Sequence, residues 1–189
     1  MLVNPRIRNE IGAIHLVPPG ERVSGPGATY VMAAFTHLNP RGSRFSDGNY
    51  GVYYAGREFE TALRETAYHF GRIAADSGDG IRYEDMRVLV SRIDARFHDL
   101  ETLSRTLQQS LLDPDSYALS QPFGARLREA GSNGLVYPSV RHYGGRCVAA
   151  FRPKAVGLPT QARHLKYHYD GQRVVRYFEY EGGEWHPLE

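Results

Sequence analysis

The clearest instruction in this sequence is a stripe of six side chains: Phe59, Ala62, Leu63, Thr66, Ala67 and Phe70. They recur at i, i+3, i+4, i+7, i+8 and i+11, which is one face of a helix at the 3.6-residue period. The spacing predicts a helix over 58–71, with Gly71 as its C-terminal stop. Around it lie segments of strand composition: 51–55 (a short buried strand), 86–93, 134–137 and 147–151. A hairpin is signalled by 165–169, the turn pair Asp170-Gly171, and 174–178. Leu100, Leu103, Leu107 and Leu111 mark a second helix that must end near Asp113-Pro114. A third is expected from Ser120, as N-cap with Pro122 in the first turn, to Gly131. Strands and helices mix without a regular βαβ alternation, so the expected class is α+β, a mixed sheet with flanking helices, rather than a doubly wound fold.

The first 30 residues are rich in Pro and Gly and read as loops around one short strand, 14–17, which ends at Pro18-Pro19 because proline cannot continue a ladder. Residues 36–50 form a second polar, turn-rich stretch, long enough that a functional role is the ordinary explanation. At 189 residues the chain is one domain with at most an appendage. The expected division is a main domain over 1–160 and a C-terminal β-hairpin extension over 161–189. Lys+Arg of 23 against Asp+Glu of 21 leaves +2, too small an excess to argue for nucleic acid, and the basic residues are interspersed with acids along the chain. No apolar run approaches the roughly 20 residues of a membrane-spanning helix, and the N-terminus has no secretory h-region. The single cysteine, Cys147, excludes an intrachain disulfide and a Cys-rich zinc site. A soluble, cytoplasmic protein with no membrane or direct nucleic-acid partner is expected.

Several familiar chemistries lack their motifs. There is no Walker A loop, no G-x-G-x-x-G after a strand, and Ser139 sits in Tyr-Pro-Ser-Val-Arg rather than G-x-S-x-G. His164 and His168 are four apart in a strand-like segment, where they cannot share an ion as on a helix, so no metal site is expected. What remains is a polar set in loop mouths and at element edges. Arg44 precedes the strand bearing Tyr53 and Tyr54, Glu65 lies on the next helix off its apolar stripe, and Ser139 and Arg141 come from a later loop. An arginine fork suits phosphate, a tyrosine stacks on a flat ring, and a carboxylate can hold a ribose hydroxyl beside a developing cationic carbon. These types fit a ribosyl-nucleotide site. Each also has an ordinary reading: a loop arginine, two members of one strand, a solvated helix residue, a turn serine after Pro138.

The same stretches resemble the RES-domain family, named for its Arg, Glu and Ser, whose members are bacterial toxins paired with Xre-type helix-turn-helix antitoxins. The carrying segments are Ser24-Gly-Pro-Gly-Ala28, Gly42-Ser-Arg-Phe45, Val52-Tyr-Tyr-Ala55 with Glu60-Thr-Ala-Leu-Arg-Glu65, Gly134-Leu-Val-Tyr-Pro-Ser-Val-Arg141 and Gly144-Gly-Arg-Cys-Val148. In order and spacing they cover about 22–153. The resemblance implies a fold related to ADP-ribosyltransferases and cleavage of the nicotinamide–ribose bond of NAD. NAD is then a substrate, no prosthetic group is implied, and inorganic phosphate is the acceptor in phosphorolytic members. By position, Arg44 would bind phosphate groups, Tyr54, with Tyr53 beside it, would stack on the nicotinamide side, Glu65 would hold the ribose and face the oxocarbenium-like transition state, and Ser139 would contact the ligand. Family members usually begin with a strand whose arginine belongs to the site; this chain shows no counterpart, and Arg22 is the substitute it offers. A missing first strand would impair activity and leave an exposed edge that favours a homodimer or another partner. The resemblance therefore implies an NAD phosphorylase or glycohydrolase that partners an Xre-type antitoxin, with a protein-modifying ADP-ribosyltransferase or a non-catalytic binding module as alternatives.

Overall fold

The computed structural model describes residues 12–188. It is an α+β protein, and its contacts divide it into two compact units. Of the described residues, the first takes in 12–55, Ser91–Pro138 and Cys147–Pro159, and the second Gly56–Val90, Ser139–Arg146 and 160–188.

The first unit is built on strands β1 (Tyr53–Gly56), β3 (His98–Asp99), β4 (Gly134–Pro138) and β5 (Arg146–Ala150), in the order β1-β5-β4-β3. β3 runs parallel to β4, with His98 opposite Leu135 and Asp99 opposite Val136. The inner positions of β4 and β5 are near-continuously apolar, as expected of strands covered on both faces: Leu135, Tyr137, Cys147 and Ala149 join Phe45, Leu100 and Leu111 in one cluster. A second cluster gathers Ala150, Val156 and Val17 with Val31 and Phe35 of helix α1 (Ala28–Thr36). The sequence reading did not find α1, although Ala28, Val31 and Phe35 stand at i, i+3 and i+7. Its Pro-Gly-rich approach masked it, yet Gly27, at φ +84°, is the N-cap.

Three other expectations change here. Residues 14–16 form a 3-10 turn rather than a strand. The leucine-marked segment is not one helix but β3, a 3-10 turn at Leu100–Thr102, and α3 (Arg105–Leu111), capped by Ser104, whose Oγ accepts from Leu107 N. Helix α4 (Ser120–Glu129) begins at Ser120 with Leu119 as N-cap, and Ser120 itself is buried.

In the second unit, α2 (Phe59–Asp76) lies on an antiparallel sheet of β2 (Arg82–Val90), β6 (Thr160–Tyr169), β7 (Val174–Glu179) and β8 (Glu184–Pro187), ordered β2-β6-β7-β8. Leu63 and Ala67 of α2 pack on Leu165, Tyr167, Val174 and Tyr177, with Phe59 and Phe70 at the margins. Thr66 completes this face by a hydrogen bond between its Oγ1 and the Tyr167 hydroxyl, 2.7 Å. The hairpin turn follows its sequence signal: Gly171 has φ +99° and Asp170 Oδ1 accepts from Gln172 N and Arg173 N. Gly71, by contrast, does not stop α2; it is buried inside the helix, which ends at Ser77 with Gly78 at φ +70°.

Candidate functional site

α2 has a second face. While Leu63 and Ala67 point into the sheet, Thr61, Glu65 and Tyr68 follow at i, i+4 and i+7 on another side, and residues 139–146 dock there. Three contacts fix this docking. Thr61 Oγ1 and His142 Nδ1 lie 2.8 Å apart, with Thr61 fully buried. The guanidinium of Arg141 sits 3.5 Å from the centre of the Tyr68 ring, a cation–π contact. Arg57 N donates to Arg146 O at 2.8 Å. Gly145 is required by closeness: a Cβ there would meet Thr61 Oγ1 at 2.4 Å and His142 Nδ1 at 2.6 Å.

The loop is closed on itself by Ser139, whose N donates to Gly145 O at 2.8 Å and whose Oγ accepts from Arg141 N at 3.2 Å and His142 N at 3.0 Å. With its own proton the Ser139 hydroxyl donates to Glu65 Oε1 at 2.6 Å, the short distance typical of a bond to an ionised acceptor. The other oxygen, Oε2, is 3.8 Å from His69 Nε2, one turn further along the helix. The Glu65 side chain is 21% exposed, so it is held by neighbours while still open to a ligand. A carboxylate oriented in this way can accept from a hydroxyl and stabilise positive charge near it. Two residues singled out from sequence, 74 positions apart, thus meet in one hydrogen bond.

The other predicted residues belong to the first unit. Tyr54 is 36% exposed, while its hydroxyl is enclosed by the 43–45 turn: Ser43 Oγ lies 2.9 Å away and Phe45 N donates to it at 3.0 Å. Burial of the hydroxyl pushes its pKa up, so it stays protonated. Arg44 is 8% exposed; its Nη1 donates to Leu111 O at 3.3 Å and Asp113 O at 2.8 Å, and its guanidinium lies 4.8 Å over the Tyr117 ring. In this structure Arg44 ties the 43–46 turn to the end of α3. Tyr53 packs against the Val31–Phe35 cluster. Arg22 donates through Nε to Val17 O (2.9 Å) and through Nη2 to Ile14 O (3.1 Å), bracing the 14–22 segment. None of these residues lines the cavity of about 270 Å³ in the first unit, which is bounded by Glu21, Phe35, Tyr50, Arg128, Phe151 and Arg152 among others.

The sequence reading missed Thr61, Tyr68, His69 and His142. Thr61 and Tyr68 carry a weak signal, the i−4 and i+3 positions from Glu65 on a helix; nothing local marks His142, because its partner is 81 residues away. Among the described residues no group of three or more His, Cys, Asp or Glu side chains could hold a metal ion, and no helix is long and apolar enough to cross a membrane.

The sequence profile of the RES domain matches residues 20–170, which takes in every residue of the loop–helix contact and every predicted site position. The chain is also similar to an uncharacterized protein of Sinorhizobium fredii, y4oC, 25% identical over 188 residues, 97% of this chain and 76% of the relative.

Proposed function

Because the chain belongs to the RES-domain family, we propose that it degrades NAD by breaking the nicotinamide–ribose bond, with inorganic phosphate as acceptor. The observation that carries this reading is the 2.6 Å bond from Ser139 Oγ to Glu65 Oε1, which orients one carboxylate on a rigid helix. Nicotinamide is a competent leaving group, since the bond's electron pair passes to a ring that turns from cationic to neutral. No general acid is needed; the demand is to hold the ribose and stabilise the charge left on its anomeric carbon. Glu65 does this as a carboxylate whose orientation Ser139 sets. A phosphate oxygen then bonds to the anomeric carbon in place of the departed ring, giving a phosphorylated ADP-ribose.

The family motif assigns Arg44 to the dinucleotide phosphates; its Nη1 is engaged by Leu111 and Asp113. Tyr54 offers its exposed ring to the nicotinamide side. Arg22 and Tyr53 act as braces in this reading. The partner is an Xre-type helix-turn-helix antitoxin, and the cytoplasm, where NAD is plentiful, is the site of action.

Incubation of the purified protein with NAD, with and without phosphate, tests the proposal through free nicotinamide and the ribosyl product. Phosphate-dependent release of nicotinamide is expected, and Glu65→Gln abolishes it while the variant unfolds at a near-normal temperature. Release that ignores phosphate would mean a glycohydrolase, label transferred to protein an ADP-ribosyltransferase, and intact NAD a binding module.

A further inference from the structure

The sheet of the second unit has two faces, and α2 covers one. Strand register identifies the residues on the other, because directly paired residues of antiparallel strands share a face. Tyr167 pairs with Tyr177 and Leu165 with Met86, all facing α2. The intervening rows face away. One runs Tyr83, His168, Arg176, Pro187; the next runs Asp85, Lys166, Phe178, Trp185. Apart from Pro187, every apolar side chain in these two rows is aromatic, and the rings form a continuous strip. Tyr83 stacks on His168 with centroids 4.8 Å apart and planes at 17°; Phe178 meets Trp185 at 5.4 Å and Tyr180 at 5.3 Å.

Cations are set into the strip. The Arg176 guanidinium lies 4.5 Å over the Trp185 ring and the Lys166 ammonium 5.2 Å over Tyr180. Asp85, the one carboxylate in the two rows, accepts from the Tyr180 hydroxyl at 2.8 Å and lies 3.8 Å from Lys166. Tyr83 remains 52% exposed and Trp185 39%. The core of a protein-binding patch is depleted of Lys and Asp, whereas this face carries a Lys–Asp pair beside its rings. Exposed rings interleaved with cations are instead the arrangement that stacks bases and tracks a phosphate backbone.

We propose that this face binds single-stranded nucleic acid, with bases stacking on Tyr83 and Trp185 and phosphates meeting Arg176 and Lys166. The near-zero net charge of the chain does not oppose this, since the basic residues are adjacent only once the strands are paired. The inference does not depend on the NAD reading.

Trp185 is the chain's one tryptophan, so its fluorescence reports directly on the face. Short oligouridine and oligodeoxyuridine strands should quench it, with affinity falling as salt rises, while a duplex of equal length should not. A preference between the two strands reads out the sugar, and either preference supports the proposal. Tyr83→Ala should weaken binding about tenfold and Arg176→Gln should also reduce its salt dependence. Glu65→Gln should bind as the unaltered protein does, which separates this proposal from loss of NAD chemistry. Absence of quenching at low salt, equal quenching by duplex, or self-association that Tyr83→Ala abolishes would overturn it. Should Tyr83→Ala lose its fold by circular dichroism, the exposed change Arg176→Gln decides alone.

Discussion

The hydroxyl of Ser139 makes three hydrogen bonds at once, accepting from Arg141 N and His142 N and donating to Glu65. Ser139→Ala therefore removes the turn's acceptor as well as the contact to the carboxylate. The expected cost is about 1 kcal/mol of stability, read by denaturant unfolding, together with a fall in NAD consumption. Thr61→Val tests the loop's anchorage. It keeps the buried shape but leaves His142 Nδ1 without its 2.8 Å partner, so, on the proposed NAD reading, turnover should fall with little change in KM, because Thr61 is fully buried and positions the loop. An unchanged turnover would remove Thr61 from that role. Glu65 and Ser139 were legible in the sequence because each sits in a short motif with its chemistry on its own side chain. Thr61 and His142 were not, since their significance is a contact between segments 81 residues apart. Arg44 stands out in its Gly-Ser-Arg-Phe motif, but its bonds to the carbonyls of Leu111 and Asp113 depend on where α3 ends, which no local pattern states.

α2 shows how an element can be read correctly and still be misjudged at its end. Its apolar stripe predicted the helix, yet Gly71 lies within it because burial against the sheet outweighs the roughly 1 kcal/mol that glycine costs a helix interior. A Cβ at Gly71 would meet Arg173 Cα at 3.7 Å and Tyr169 at 3.9 Å, ordinary contact distances. Gly71→Ala should accordingly stabilise the protein by about 0.5–1 kcal/mol, a rise of roughly 1–4 °C in Tm for a chain of this size; a lower Tm would mean the approach is tighter than these distances. Gly78 is different, because at φ +70° its left-handed backbone ends the helix. The hairpin β6–β7 was legible because its turn chemistry is local, whereas β8 was not: it exists through its pairing with β7, Phe178 opposite Trp185 and Tyr177 opposite His186. The 14–16 segment has strand composition, yet it pairs with no strand among the described residues and closes as a 3-10 turn.

Neither compact unit is a continuous piece of chain, since each draws on three segments. Residues 160–187 supply three of the four strands in the second unit's sheet, so a chain ended at Pro159 should lose that unit's cooperative unfolding and expose Leu63 and Ala67, which dye binding would detect. Alkaline pH should act on both units. Burial pushes the Tyr167 hydroxyl up to about 12, and burial with the nearby Asp47 charge does the same for Tyr50. Their folded pKa values exceed the unfolded value of about 10, so the native state retains protons that the unfolded chain releases. Stability is then full below about pH 10 and declines toward about pH 12, as urea unfolding across that range would show; Tyr167→Phe should flatten part of the decline. Amphipathic period, turn chemistry and motif spacing are properties of neighbours along the chain, and from them came the α+β class, the helix carrying Glu65, the main hairpin and the family resemblance. The Ser139–Glu65 bond, the commitment of Arg44 to two carbonyls and the aromatic face of β2, β6, β7 and β8 come from contacts between distant segments. Those are settled by which surfaces bury one another and which donors find acceptors, and packing of that kind leaves no periodic mark on the sequence.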